Sequence, residues 1–156
     1  MRDKVKVKVV VARPGLDDAI DLAIHAHKGQ TDKQGLPYIL HPLRVMLKFN
    51  DPLAQMVAVL HDTLEDTPVT LGMLWLLNYP SEVVDAVVAA SRMKRVENYT
   101  DYIERCRKNP LARRVKLADI EDNLDRIDGL SNADERERLR RRYTDAKALL
   151  LSPRVY

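Results

Sequence analysis

His61 and Asp62 stand side by side in Met56-Val-Ala-Val-Leu-His-Asp-Thr-Leu-Glu-Asp-Thr67, within an otherwise apolar helical stretch. An imidazole and a carboxylate buried together are costly unless something compensates them. A divalent cation would do so, because neutral imidazole and carboxylate both bind borderline-to-hard ions. Glu65 and Asp66 follow one helical turn later, over His61 and Asp62, so one short helix offers a His, an Asp and two more acids. Acids at a helix C-terminus oppose the helix dipole, which favours a functional reading over surface decoration. The plain alternative is a helix running out into solvent with ordinary carboxylates on its last turn.

Two other segments offer groups of the same kind. Pro37-Tyr-Ile-Leu-His-Pro42 holds His41 at a loop-to-helix corner between prolines. Asp119 lies mid-helix beside Leu117 and Ala118, with Asn123 one turn on. His41, His61, Asp62 and Asp119 make a two-His, two-carboxylate set, suited to an octahedral ion with two positions left for water or substrate. Each alone could be a capping or core residue. His25 and His27 are two apart on a helix and cannot both serve one ion; His27 reads as a core or supporting residue and His25 as surface. Lys28, Lys33, Arg92, Lys94, Arg95 and Lys116 are candidate cations for an anionic substrate, each otherwise a solvated charge. Cys106, the sole cysteine, has no second Cys or His near it in sequence. It excludes an intramolecular disulfide and a Cys-rich metal site, and a redox or nucleophilic role is not expected.

The elements that must position these residues read mostly as helix. Leu16 to His27 has helical apolar spacing stopped by Gly29, and residues 30–40, with Gly35 and Pro37, read as a loop. His41-Pro42 opens a short helix to about Phe49. Asp51-Pro52 is a cap followed by proline at the first helical position and launches a helix over 52–66. Thr70 caps a short helix to about Asn78, and Pro80-Ser81 starts another through about Lys94. Residues 100–108 form a further helix. Asn109-Pro110 repeats the cap-plus-proline signal and starts a long helix to about Asp128, closed by Gly129. Asn132 with Glu135 caps the last helix, 133–151, whose Glu-Arg-Glu-Arg-Leu-Arg-Arg-Arg run (135–142) reads as a solvated face. Residues 4–11, Lys-Val-Lys-Val-Lys-Val-Val-Val, alternate at period two and read as a strand. The expected architecture is all-α with a short N-terminal strand: an extension over 1–13, one domain over 14–151 and a tail over 152–156. An unpaired strand needs a partner, and the same segment of a second copy would bury Val5, Val7 and Val9 in a homodimer; the plain alternative is a frayed tail.

Composition bounds the rest. With 156 residues, 46% hydrophobic and 31% charged, the chain can bury one core and stay soluble, so disordered and low-complexity classes are excluded. A formal charge of +3 is too small a bias to argue for nucleic acid. No apolar run approaches the ~20 residues needed to span a bilayer, and no signal peptide is evident. A cytoplasmic protein without a membrane partner is expected.

Four segments taken together, Ala26-His-Lys-Gly-Gln30, Gly35-Leu-Pro-Tyr-Ile-Leu-His-Pro42, Leu60-His-Asp-Thr-Leu-Glu-Asp-Thr-Pro68 and Val115-Lys-Leu-Ala-Asp119 with Asn123, are distinctive in order and spacing. They resemble the HD-superfamily (p)ppGpp hydrolase domain of RelA/SpoT homologues and its single-domain small alarmone hydrolases, over roughly residues 16–130. The resemblance implies a helical HD fold and a Mn²⁺-dependent hydrolase that releases the 3′-pyrophosphate of (p)ppGpp, in the setting of the stringent response. It implies His41, His61, Asp62 and Asp119 as metal ligands, with one ion per chain, and Glu65 and Asp66 as the pair that orients or activates the attacking water. It implies nucleotide contacts for Lys33 and Asn123, to which the cations Lys28, Arg92 and Lys116 are added as candidate substrate-binding residues. The chain differs from the family where Asp32 stands at a common Arg position and where Ala90-Ser-Arg92 replaces a common Leu-Thr or Val-Thr pair. Base specificity therefore stays open between an alarmone and another nucleotide, such as a dinucleotide phosphate or deoxynucleotide. A non-catalytic nucleotide sensor is the third reading.

Overall fold

The computed structural model describes residues 12–153. The strand expected over 4–11, and the homodimer contact built on it, lie outside these residues. Among the described residues the chain is all-helical, and the one β-type pairing is an isolated antiparallel bridge between Thr31 and Pro37. The helices are α1 (Leu16–Ala26), α2 (Leu40–Met46), α3 (Pro52–Leu60), α4 (Thr63–Asp66) and α5 (Leu71–Leu76). They continue with α6 (Ser81–Ala90), α7 (Tyr99–Lys108), α8 (Pro110–Arg126) and α9 (Ala133–Leu151), with a 3-10 turn over Ile127–Gly129 between the last two.

Helix starts follow the cap residues. Asp51 accepts from the backbone N–H of Leu53 at 3.1 Å and Ala54 at 3.4 Å, satisfying donors that α3 leaves unpaired. Asn109 does the same for Leu111 and Ala112, and Asn132 accepts from Glu135 N at 2.9 Å. Thr70 caps α5 through Met73 N.

The expected single helix over 52–66 is broken. α3 ends at Leu60, and α4 starts at Thr63 after a turn at His61-Asp62. Side chains there take backbone carbonyls in place of the next helical N–H groups. His61 Nδ1 lies 2.7 Å from Ala58 O, and Thr63 Oγ1 donates to Leu60 O at 2.7 Å. The backbone stays in the helical region at His61 and Asp62, and Asp66 N donates to Asp62 O at 3.1 Å, so Glu65 and Asp66 still lie one turn beyond the pair. The helix expected to run to Lys94 also stops early, at Ala90. Ser91 is extended there, and its hydroxyl lies 2.7 Å from Val87 O and 3.1 Å from His61 O.

α3 is the centre of the molecule, with Ala54 and Met56 to Leu60 buried, and α1, α2, α6 and α8 pack around it. Burying side chains such as Val57, Val59 and Leu60 contributes roughly 1.5–3 kcal/mol each, so the α3–α4 junction is firmly held. Because α2 and α8 both rest on α3, His41 at the start of α2 and Asp119 in the middle of α8 meet the His61-Asp62 turn.

Candidate functional site

His41, His61, Asp62 and Asp119 converge. His61 Nε2 lies 3.1 Å from Asp62 Oδ2 and 3.7 Å from Asp119 Oδ1. His41 Nε2 lies 3.0 Å from Asp119 Oδ1 and 3.7 Å from Asp62 Oδ2. The donor atoms of His41, His61 and Asp62 all fall within 4.8 Å of one another, a spacing that a single ion can bridge. His61 is 1% exposed and its Nε2 has no hydrogen-bond partner. A buried ring nitrogen left open between two carboxylates is a position that a cation completes.

Each of these groups is steered by a neighbour. Asp62 Oδ2 accepts the Tyr38 hydroxyl at 2.5 Å. Asp119 Oδ1 accepts from Asn123 Nδ2 at 2.7 Å, while Oδ2 faces Lys116 Nζ at 2.5 Å. Lys116 lies over the Tyr102 ring, 5.2 Å from its centroid, which shields the pair from water. Burial pulls the His61 imidazole pKa down, but Asp62 and Asp119 outweigh it and hold it well above its ordinary value. His41 is raised in the same way, burial opposing and Asp119 and Asp122 winning. Burial pushes the Asp62 and Asp119 carboxyls up, yet His61 beside the first and Lys116 beside the second bring both below the usual carboxylate range. The four groups pair with one another by charge, and a bound divalent ion would take the place of the imidazole protons.

The cluster opens into a cavity of about 380 Å³, whose wall carries Lys33, Arg92, Lys94, Lys116, Arg126 and Arg142. Glu65 is on this wall, with Oε2 accepting from Arg92 N at 3.0 Å and Oε1 3.0 Å from Lys94 Nζ. Asp66 is not on it; its carboxylate pairs with Lys94 at 2.8 Å and its side chain is 41% exposed. Asn123 lines the cavity beside Asp119. Lys33 lines it too, paired with Glu135 across the mouth. Lys28 and Arg95, expected among the substrate cations, are exposed and off this wall. Both lie on polar outer segments that no neighbouring helix turns inward. Asp32 is used locally: Oδ1 accepts from Gln34 N and Leu36 N at 2.9 Å each, and Oδ2 faces Arg126.

His27 is buried, with Nδ1 2.8 Å from Gln30 Oε1, and Gln30 Nε2 donates to Asp66 O, so it supports the acidic turn from behind. His25 is exposed. Cys106 is buried and its thiol is pushed up to about 11 by that burial, which leaves it protonated and unreactive.

Several wall residues were not legible as site residues. Tyr38 was readable only as part of a motif, although it stands three residues before His41 on the same corner. Asp122 and Arg44 meet only once α8 packs on α2. Arg142, at the end of the run read as a solvated face, lines the cavity and sits 4.6 Å from the Tyr99 ring centroid. Other members of that run do behave as surface pairs, such as Arg141 with Glu137 at 3.8 Å.

No protein-family model matches the sequence. Individual proteins do. The chain is 34% identical over 119 residues to mouse guanosine-3′,5′-bis(diphosphate) 3′-pyrophosphohydrolase MESH1, a match covering 69% of this chain and 66% of that protein. It is 34% identical over 140 residues to the bifunctional (p)ppGpp synthase/hydrolase SpoT of Escherichia coli K12, covering 81% of this chain and 20% of SpoT. The chain thus spans just under two thirds of the mouse protein and about a fifth of the bacterial one. In three dimensions it superposes on the solved structure of a metazoan SpoT orthologue that hydrolyses ppGpp, with a TM-score of 0.72 at 23% identity over 86% of this chain and 90% of the other, which establishes the shared fold. In sequence the chain is thus similar to (p)ppGpp hydrolases of the RelA/SpoT type, and in fold to the metazoan SpoT orthologue.

Proposed function

We propose that the chain is a metal-dependent (p)ppGpp 3′-pyrophosphohydrolase, with Mn²⁺ held by His41, His61, Asp62 and Asp119. The observation that carries this reading is the buried cluster of these four side chains at the head of a cation-lined cavity. Its donor set of two imidazoles and two carboxylates suits a first-row divalent ion. When bound, the ion supplies Lewis-acid activation of water and phosphate. The chain's own residues do the rest. Glu65, on the wall and held by Arg92 N, is placed to take the proton of the attacking water at Oε1, which only the half-exposed Lys94 now occupies. Arg92, Lys94, Lys116 and Arg142 offset the substrate's phosphate charge, and Lys33 and Asn123 border the nucleotide. Asp66 supports this work by holding Lys94. A cytoplasmic location goes with a soluble nucleotide substrate; no helix among the described residues is long and apolar enough to cross a membrane.

A release assay over a nucleotide panel with Mn²⁺ tests the reading. Pyrophosphate together with GDP or GTP is the expected result. Orthophosphate alone would instead identify a nucleotide phosphatase, and silence across the panel a binding module.

Ion binding is also expected to be pH-dependent. His41 and His61 have raised pKa values, so each stabilises the ion-free protein below about pH 6.5, and that contribution is lost as pH rises through the raised folded-state value. The ion must displace those imidazole protons. Mn²⁺ binding should therefore release protons and weaken as pH falls from about 8 to 5.5. Calorimetric titration in buffers of different ionisation enthalpy measures this, and an affinity flat across that window would contradict it.

The homodimer through residues 4–11 is part of the same reading. Light scattering of the full chain and of one lacking residues 1–12 should give a dimer and a monomer; a monomer in both would remove this part.

A further inference from the structure

We propose that Asp122 is a positioning residue for the metal centre, fixing His41 so that its Nε2 faces the ion, with Arg44 holding Asp122 in place. This rests on the metal reading above. Asp122 is buried and is no member of the ligand cluster, yet its Oδ2 lies 2.7 Å from His41 Nδ1. Arg44 grips the same carboxylate with two parallel bonds, Nε to Oδ1 at 2.8 Å and Nη2 to Oδ2 at 2.9 Å. The side chains of His41 and Asp122 are 9% and 7% exposed, so this is an interior arrangement and not a surface ion pair.

The pattern follows from two three-residue steps. Arg44 stands one turn after His41 on α2, and Asp122 one turn after Asp119 on α8, so the two helices face each other with two interacting residues apiece. A buried carboxylate without compensation would be costly, and the planar Arg44 fork supplies both charge and geometry.

The chemical consequence concerns one proton. An imidazole that serves as a ligand through Nε2 must carry its single proton on Nδ1, and a hydrogen-bond acceptor at Nδ1 selects that tautomer. Asp122 is such an acceptor, and being anionic it also makes Nε2 a stronger donor to an ion. His61 reaches the same orientation by a different route, through the neutral carbonyl of Ala58 within its own helix. The two ligand histidines are thus oriented unequally: one by local backbone, the other by a charged pair that exists only when α2 and α8 are packed.

Two variants and one probe test this. Mn²⁺ is titrated calorimetrically into the wild type, Asp122→Asn, and the Arg44→Met/Asp122→Ala double variant, in which neither charge is left buried alone. Melting of the ion-free proteins is followed in parallel. Mn²⁺ affinity is expected to fall about 10–100-fold in both variants, the usual effect of removing a contact behind a metal-ligating histidine. A purely structural role would lower the melting temperature and leave the affinity unchanged; an affinity within twofold of wild type in either folded variant overturns the proposal while the metal reading stands. A wild type that binds no Mn²⁺ overturns both. Should Asp122→Asn fail to fold, the double variant decides by the same criterion.

Discussion

Asp62→Ala protein is expected to retain no divalent ion after dialysis and to leave (p)ppGpp intact. Asp62 Oδ2 lies within 3.7 Å of both ligand nitrogens, so one carboxylate serves both histidines. Asp119 fills a ligand position of its own and is tied there by Lys116 and Asn123, so it does not also take over that of Asp62. Loss of a direct ligand should exceed the roughly 10–100-fold effect that outer contacts produce. The substitution also leaves the Tyr38 hydroxyl without its acceptor, which costs about 1–3 kcal/mol of stability. Metal content by mass spectrometry, with circular dichroism to confirm folding, measures the outcome. Full activity in an Asp62→Ala protein free of metal would refute the assignment.

Glu65→Gln should behave in the opposite sense at the metal and in the same sense in turnover. Glu65 reaches the cavity wall but makes no contact with the ligand nitrogens, its oxygens being held by Arg92 N and Lys94. The amide keeps the shape and removes the basic oxygen. The ion is therefore expected to stay bound while turnover falls by about 10²-fold or more, the usual scale for a positioned acid–base group. Asp66→Asn should cost much less, since Asp66 lies off the wall and half in solvent. Loss of the ion in Glu65→Gln would make Glu65 a ligand, and an equal loss of turnover in both variants would return the two acids to a joint role.

That asymmetry between neighbouring acids could not be read from the sequence, and the reason is physical. Glu65 and Asp66 are adjacent on one turn, and only the packing of residues 92–94 beside it puts Glu65 against Arg92 N on the cavity wall and Asp66 against Lys94 off it. The turn at His61-Asp62 is made by side chains bonding to carbonyls of Ala58 and Leu60, and those bonds compete with helix without altering apolar periodicity. Cap signals carry more. Asp51-Pro52, Thr70, Asn109-Pro110 and Asn132 each marked a helix start because the capping group and its N–H partner lie within three residues of one another. The residues His41, His61, Asp62 and Asp119 were legible as polar groups in apolar settings. Asp122 stands between Glu121 and Asn123 and reads as one more polar residue of its helix, and its role depends on Arg44 from another helix, a tertiary fact. Arg142 was hidden for a related reason: in a run of arginines, only the packing of α9 on α7 and α8 decides which one turns inward.

On the proposed reading this cluster removes pyrophosphate from the 3′ position of (p)ppGpp. Incubating the protein with ppGpp, with Mn²⁺ and in parallel with chelator, and separating the products by ion-exchange chromatography tests it most directly. GDP and pyrophosphate should appear in equal amounts with Mn²⁺ and be absent with chelator; intact ppGpp in the Mn²⁺ reaction, or orthophosphate in place of pyrophosphate, would contradict the account.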